Sequence, residues 1–180
     1  MEGVRARDPK ALEAFFDRYF DRLFGLAMHL LGDRPTAEDI VQEVFLKVHR
    51  AAGSLEPGRD PYPWLMTITT NLCRDLWRSG AYQSSRRGVS LDDEAVAPPE
   101  LPSPIGNPES ELVTAEREAL VRGALAELPE SLRTAIVLHA YEGLGHEEAA
   151  ALSGIGAAAQ RKRYSRGLAE LGRLLRERKP

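Results

Sequence analysis

Apolar residues in this chain recur at helical spacing and nowhere keep up the alternation of a strand. Between Ala11 and Leu31 the stripe runs Leu12, Phe15, Phe16, Tyr19, Leu23, Leu26, Ala27 and Leu30. Such a pattern shares one face only on an α-helix, so it predicts an amphipathic first helix. Gly32-Asp33-Arg34-Pro35 stops it, and Thr36 followed by Asp39 has the spacing of a capping box that opens a second helix. Ile40, Val41, Val44, Phe45 and Val48 form the core stripe of that second helix. Residues Gly53 to Pro63, with three prolines and two glycines, read as a loop. A third helix is expected from about Pro63, a good first helical position, to Arg78.

From Gly80 to about Pro108 no apolar period survives, and Ser, Gly and Pro alternate with Asp92-Asp93-Glu94. Helical spacing resumes near Ser110 with Leu112, Val113, Leu120, Val121, Ala124, Leu125 and Leu128. The expectation is an all-α fold of two small helical domains, residues 1–82 and 110–180, joined by a flexible acidic linker, residues 83–109.

The segment Leu128–Leu171 carries the outline of a helix-turn-helix. Pro129 opens a helix that ends near Glu142, before Gly143 and Gly145; His146–Leu152 has length for two turns; Ser153-Gly154-Ile155-Gly156 supplies a tight bend. On a last helix starting near Ala157, Gln160, Tyr164, Gly167, Leu171 and Leu174 share one side, with Lys162, Ser165, Arg166 and Arg173 opposite. The basic side suits DNA, and it equally describes a solvated helix at a chain end.

Charge is divided along the chain more sharply than the net value of −3 implies. Residues 89–150 carry 3 basic and 13 acidic groups, whereas residues 151–180 carry 8 and 2. Charges act locally, so the basic end is free to meet an anionic partner. No run of eighteen apolar residues exists, and Met1 leads into Glu2 and Asp8 rather than a basic and apolar leader, so a cytoplasmic protein with no membrane insertion is expected. Cys73 is the only cysteine and the four histidines lack paired metal spacing, which predicts no disulfide, metal or other cofactor. Glu147-Glu148 and Asp92-Asp93 read as solvated positions, and no trio of Ser, His and Asp is selected by spacing, so no catalytic residues and no enzymatic activity are expected.

Two helix faces are not explained by a core. On the second helix, Asp39, Gln42, Glu43, Leu46 and Arg50 project away from Ile40, Val44 and Val48. Leu46 there is either a lone exposed leucine or the anchor of a docking surface ringed by hydrogen-bonding groups. On the third helix Leu65, Ile68, Leu72 and Leu76 cluster on one side, and Thr67, Asn71, Arg74 and Arg78 project from an acid-free other side. Asn and Arg bond base edges, Arg and Thr hold phosphates, and Tyr62, Trp64, Trp77 and Tyr82 are either core residues or stacking faces for unpaired bases.

Thr36-Ala37-Glu38-Asp39-Ile40-Val41-Gln42-Glu43-Val44-Phe45-Leu46-Lys47-Val48 and Pro63-Trp64-Leu65-Met66-Thr67-Ile68-Thr69-Thr70-Asn71-Leu72-Cys73-Arg74-Asp75 resemble region 2 of the sigma-70 family of bacterial RNA polymerase sigma factors. Leu128-Pro129 through Tyr141-Glu142-Gly143-Leu144, with Gly154-Ile155, is similar to region 4. Two domains with a short linker match the extracytoplasmic-function (ECF) subgroup. The resemblance implies a transcription initiation factor that binds core polymerase, recognises and melts the promoter −10 element, and contacts the −35 element. It assigns Asp39, Gln42, Glu43 and Leu46 to the β′ clamp helices of the polymerase. It assigns the loop at about Ser54–Tyr62, with Tyr62, Trp64, Thr67, Asn71, Arg74 and Arg78, to −10 DNA. Arg161, Lys162, Arg163, Ser165 and Arg166 fall to −35 DNA, the β flap and an anti-sigma factor to the partners, and the free protein is expected to be monomeric.

Departures from the family pattern fall in the last helix. Gln160 stands where an apolar residue is usual, and Ala157-Ala158-Ala159 replace polar residues, which predicts phosphate-dominated contact and relaxed −35 demand. Gly167 is expected to cost its helix about 1 kcal/mol relative to alanine. The competing readings are a free-standing helix-turn-helix regulator that binds DNA as a dimer, and a decoy that sequesters another regulator.

Overall fold

A computed structural model describes residues 2–56, 58–79 and 108–178, with side chains from 117 onward in the last segment. The expected linker lies outside the described residues apart from positions 108 and 109, as does Tyr82. All regular structure among the described residues is helical, in two units, residues 1–84 and 85–180.

The first unit holds α1 (Glu2–Arg5), α2 (Pro9–Leu31), α3 (Arg34–Ala51) and α4 (Tyr62–Arg78). The α2 helix starts two residues before the apolar stripe, because the Asp8 carboxylate accepts from Ala11 N at 2.9 Å and Pro9 needs no N–H in the first turn. The cap of α3 is Asp33, not the expected Thr36–Asp39 box. Its carboxylate accepts from Thr36 N at 2.9 Å and from the Thr36 hydroxyl, and Pro35 is accommodated inside the first turn. Leu23, Leu26, Ala27 and Leu30 of α2 and Val41, Val44 and Val48 of α3 are fully enclosed.

The buried face of α4 is rotated from the expected one. Tyr62, Leu65, Met66, Thr69, Thr70, Cys73 and Trp77 are buried, while Ile68, Leu72 and Leu76 are half-buried. Thr69 fits because its hydroxyl donates back to Leu65 O at 2.9 Å, which removes the cost of an unmade bond and lets a hydroxyl count as core. Burial pushes the Cys73 thiol up to about 12, so it is a packing residue.

The second unit holds α5 (Pro108–Glu127), α6 (Glu130–Ile136), a π turn (Val137–Tyr141), α7 (His146–Ser153) and α8 (Ala157–Glu177). Ala124, Leu125, Leu128, Ile136 and Leu174 form its core, with Val121, Tyr164, Leu171 and Leu175 packed against them. Arg133 is 1% exposed and its guanidinium donates to Ala126 O (2.5 Å) and Leu128 O (3.0 Å), tying α6 to the carbonyl end of α5. Gly154, at φ 66, takes the left-handed turn between α7 and α8. Gly167 is not the liability expected of it: a Cβ there would meet Ile136 Cδ1 at 2.9 Å and Leu132 O at 3.2 Å, so its absence lets α8 lie directly on α6.

Candidate nucleic-acid and protein interfaces

Asp39, Gln42 and Leu46 are exposed on the outer face of α3, with Leu46 at 51%. Glu43 is half-buried and lies 3.7 Å from Lys47 Nζ and 3.9 Å from an Arg50 nitrogen. The apolar part of this surface extends further than the stripe of α3 suggests. Phe16, expected in the core, is 39% exposed, and its ring centroid lies 4.6 Å from Phe45 and 4.9 Å from Phe20. Phe15 and Phe16 are adjacent and point about 100° apart on the helix, so only one can face inward; Phe15 does.

On α4, Asn71 and Arg78 are exposed and Thr67 and Arg74 half-buried. Asn71 Oδ1 accepts from Arg74 Nη1 at 3.1 Å, which leaves the Asn71 amide N–H groups as outward donors. Thr67 spends its hydroxyl proton on Pro63 O at 2.9 Å and keeps its acceptor capacity. Asp75 is exposed one turn beyond Asn71, so this side is not free of acid as the spacing implied. Among the aromatics, Trp64 is half-buried, whereas Tyr62 and Trp77 are 5% and 4% exposed. Tyr62 is therefore a packed residue rather than an open stacking face, and the same holds for Trp77.

Beside the N-terminus of α4 the loop residues Gly58–Pro61 border an open cleft of about 480 Å³, with Val4 of α1 and Ala14, Arg18 and Tyr19 of α2 on its other walls. Asp60 organises it: Oδ1 accepts from Tyr62 N at 3.1 Å and from Tyr19 Oη at 3.4 Å. Burial pushes the Tyr19 phenol up, Arg18 pulls it down and Asp60 raises it further; the net rise keeps the hydroxyl a donor.

On α8, Arg161, Lys162, Ser165 and Arg166 are exposed and Arg163 is half-buried. Ala158 and Ala159 are exposed at its start and Ala157 half-buried. The inward face is the expected one, with Gln160 and Gly167 buried. Gln160, 1% exposed, donates from Nε2 to Ala135 O at 3.2 Å, a carbonyl two residues before the π turn. Arg173, expected outward with the basic set, is held by Glu170 at 2.7 Å and Glu177 at 2.6 Å, so its charge is spent within the helix.

A cluster that sequence reading did not find joins the π turn to both helices of the motif. The His139 and His146 rings stack at 4.0 Å, and Tyr164 of α8 stands edge-on to both, at 4.5 and 5.5 Å. His139 Nδ1 lies 2.6 Å from Leu144 O, which marks it as the protonated nitrogen. A spacing of seven with a glycine break between gave no signal for this pairing.

No cluster of His, Cys, Asp or Glu among the described residues is arranged to hold a metal ion, and no described helix is long and apolar enough to cross a membrane. Together the helical bundle with a polar helix beside a loop cleft, and the second unit with a basic helix-turn-helix, define a two-part DNA-binding protein.

The chain matches Sigma-70 region 2 over residues 15–82 and Sigma-70, region 4 over residues 118–171. It is 36% identical over 177 residues to the RNA polymerase sigma factor CarQ of Myxococcus xanthus, covering 98% of this chain and 96% of that protein. It is 32% identical over 159 residues to the ECF RNA polymerase sigma-E factor of Escherichia coli (strain K12), covering 84% and 80%. Among solved structures it is similar to the sigma factor RpoE from Bartonella quintana, in complex with the anti-sigma factor NepR, with a TM-score of 0.70, 26% identity and coverage of 94% and 99%. The chain belongs to the sigma-70 family of RNA polymerase sigma factors, in its ECF group. It is a promoter-directing subunit of bacterial transcription initiation, and sigma factors are not enzymes.

Proposed function

We propose that the three surfaces divide the work of initiation among them. The outer face of α3, through Asp39, Gln42, Glu43 and Leu46, docks on the β′ clamp helices of core polymerase. The Phe16 and Phe45 rings widen the apolar patch around Leu46. The loop at 54–62 and the α4 side bearing Trp64, Thr67, Asn71, Arg74 and Arg78 bind the −10 element, with Tyr62 shaping the loop from beneath. Arg161, Lys162, Arg163, Ser165 and Arg166 meet −35 DNA, mainly at phosphates, because the leading turn of α8 offers methyl groups and no hydrogen-bonding side chain.

The observation that carries this reading is the separation of faces on the first unit. An apolar patch with acidic and amide neighbours occupies α3, and a donor-rich side with outward Asn71 and Arg78 occupies α4. The first suits a protein surface and the second an unpaired strand. Capture of unstacked bases supplies the opening energy, so the chain acts through binding alone, in the cytoplasm, as a monomer when free. Two weak modules held on one polymerase gain effective concentration from the tether. An anti-sigma factor as a partner is supported by the complex in which RpoE was solved, and the second unit is assigned the β flap.

Run-off transcription with core polymerase on a genomic fragment library tests the whole. Discrete start sites that require this protein, with shared elements upstream, are the expected outcome. DNA binding as a dimer without polymerase would replace this reading with the free-standing regulator.

A further inference from the structure

Arg22 is exposed on α2, yet its guanidinium carbon lies only 3.5 Å from the centroid of the Tyr62 ring. Tyr62 stands nearly parallel to Tyr19, with centroids 6.3 Å apart and planes 15° apart, and the Arg18 guanidinium lies 5.6 Å from the Tyr19 centroid. A guanidinium lying on an aromatic face has its rotamer fixed while its N–H groups, which lie in its own plane, stay available at the edge. Arg34, Lys47, Arg50 and Arg59 of the same unit all lie within ion-pair distance of glutamates. Arg18 and Arg22 have no such carboxylate among the described residues, and the acid of their cluster, Asp60, is taken by Tyr62 N and Tyr19 Oη. Two cations thus lie over rings beside the loop, Arg18 on the wall of its cleft and Arg22 on Tyr62 at the loop's end, and among the described residues neither is within ion-pair distance of a carboxylate.

We propose that Arg22, with Arg18 beside it, is a phosphate clamp for the single strand that passes the −10 loop. This rests on the assignment of that loop and of α4 to −10 DNA. A strand gripped by its bases must lay its backbone along the flank of the site, and a planar fork held in place accepts a phosphodiester through two parallel N–H bonds. Neither arginine belongs to the α4 side or to the loop, so neither is part of the assigned −10 surface. The cost of ordering a long side chain has already been met by the ring beneath it, which a free surface lysine would have to meet on binding.

The test uses the holoenzyme, core polymerase with the full chain, and a fluorescent non-template-strand oligonucleotide from the strongest run-off promoter. Arg22→Gln is expected to weaken oligonucleotide binding about five- to tenfold and to flatten the slope of log K against log salt by about 0.7, the contribution of one phosphate on a single strand. Arg22→Lys keeps the slope and loses part of the affinity. Replacing phosphates one at a time by uncharged methylphosphonates should weaken the wild type at one or two positions, and those same replacements should leave Arg22→Gln unaffected. Association with core must be unchanged in both variants, which separates the clamp from damage to the fold. An unaltered salt slope in Arg22→Gln, or methylphosphonate losses that add in full to those of the variant, would overturn the clamp. Failure of the wild-type holoenzyme to bind the oligonucleotide at all would instead sink the −10 assignment on which it rests.

Discussion

Gly167 in α8 and Ile136 in α6 meet so closely that a Cβ on Gly167 would lie 2.9 Å from Ile136 Cδ1 and 3.1 Å from Cγ1. Ile136 is 2% exposed and has nowhere to retreat. Gly167→Ala is therefore expected to destabilise the second unit by about 1–3 kcal/mol, despite alanine's better helix propensity. Gly25 in α2 is the contrast, since nothing lies within 4 Å of its would-be Cβ, and Gly25→Ala should stabilise the first unit by about 0.5–1 kcal/mol. Calorimetry of the full-length variants reads both, and opposite signs are the expected result.

His146 makes the second unit sensitive to acid. Partial desolvation holds His146 below its usual value of 6.5, with His139 from the π turn and Arg161 from α8 adding to the effect; the Tyr164 ring stands edge-on to both imidazoles. The folded-state pKa lies below the unfolded one, so the unfolded chain takes up the proton first. Stability from this site is complete above about pH 6.5 and is lost as pH falls below it. The thermal midpoint of the second unit should fall between about pH 7.5 and 5.5, and less so in His146→Gln. An NMR titration of the His146 ring with a midpoint above 6.5 would contradict this.

Docking on core polymerase should fail when charge is placed in the α3 patch. Leu46→Glu is expected to weaken association with core at least about tenfold, or about 1.4 kcal/mol. Phe16→Ser should weaken it too, because its ring is exposed and contributes apolar area beside Phe45. Pull-down of core by the tagged protein reads both, and unchanged recovery of core with Leu46→Glu would remove α3 from the interface.

At the −35 element, Ala158 and Ala159 leave the start of α8 without base-reading groups. Single base changes there should lower run-off output by less than about threefold, where a base pair read directly is worth about 1–3 kcal/mol. Arg166→Gln should cost output evenly across promoters and weaken the salt dependence. Loss of transcription from one −35 substitution would show that bases are read after all.

The periodic stripes located the helices because burial of one face is what the period encodes, and α2, α3 and α8 lie where their apolar residues and bounding glycines put them. The resemblance in the Glu38–Val48 and Trp64–Asp75 strings pointed to the family that the comparisons support. Less legible were features set by contact between elements. The face of α4 turned in part because Thr69 buries as readily as a leucine once its hydroxyl bonds Leu65 O; nothing comparable accounts for the burial of Thr70. Whether Tyr62 is core or platform was open in the sequence, and it is decided by Arg22 and Tyr19, which pack on its ring. The cap of α3 was misplaced by three residues because Asp33 and Thr36 are both capping types, and only the bond to Thr36 N distinguishes them. The His139–His146 stack depends on a π turn, which no spacing rule announces.

That π turn, closed by Glu142 N on Val137 O at 3.0 Å, takes up one residue more than an α turn. It acts as a phase adjuster between the core of the second unit and its DNA-binding half. Removing one residue from Val137–Tyr141 would restore an α-helix and rotate the chain downstream of it by about 100°, carrying the ring partners and the start of α7 out of alignment together. A change of chain length there would thus be felt as a change in how the basic helix is aimed, although no residue of that helix had altered.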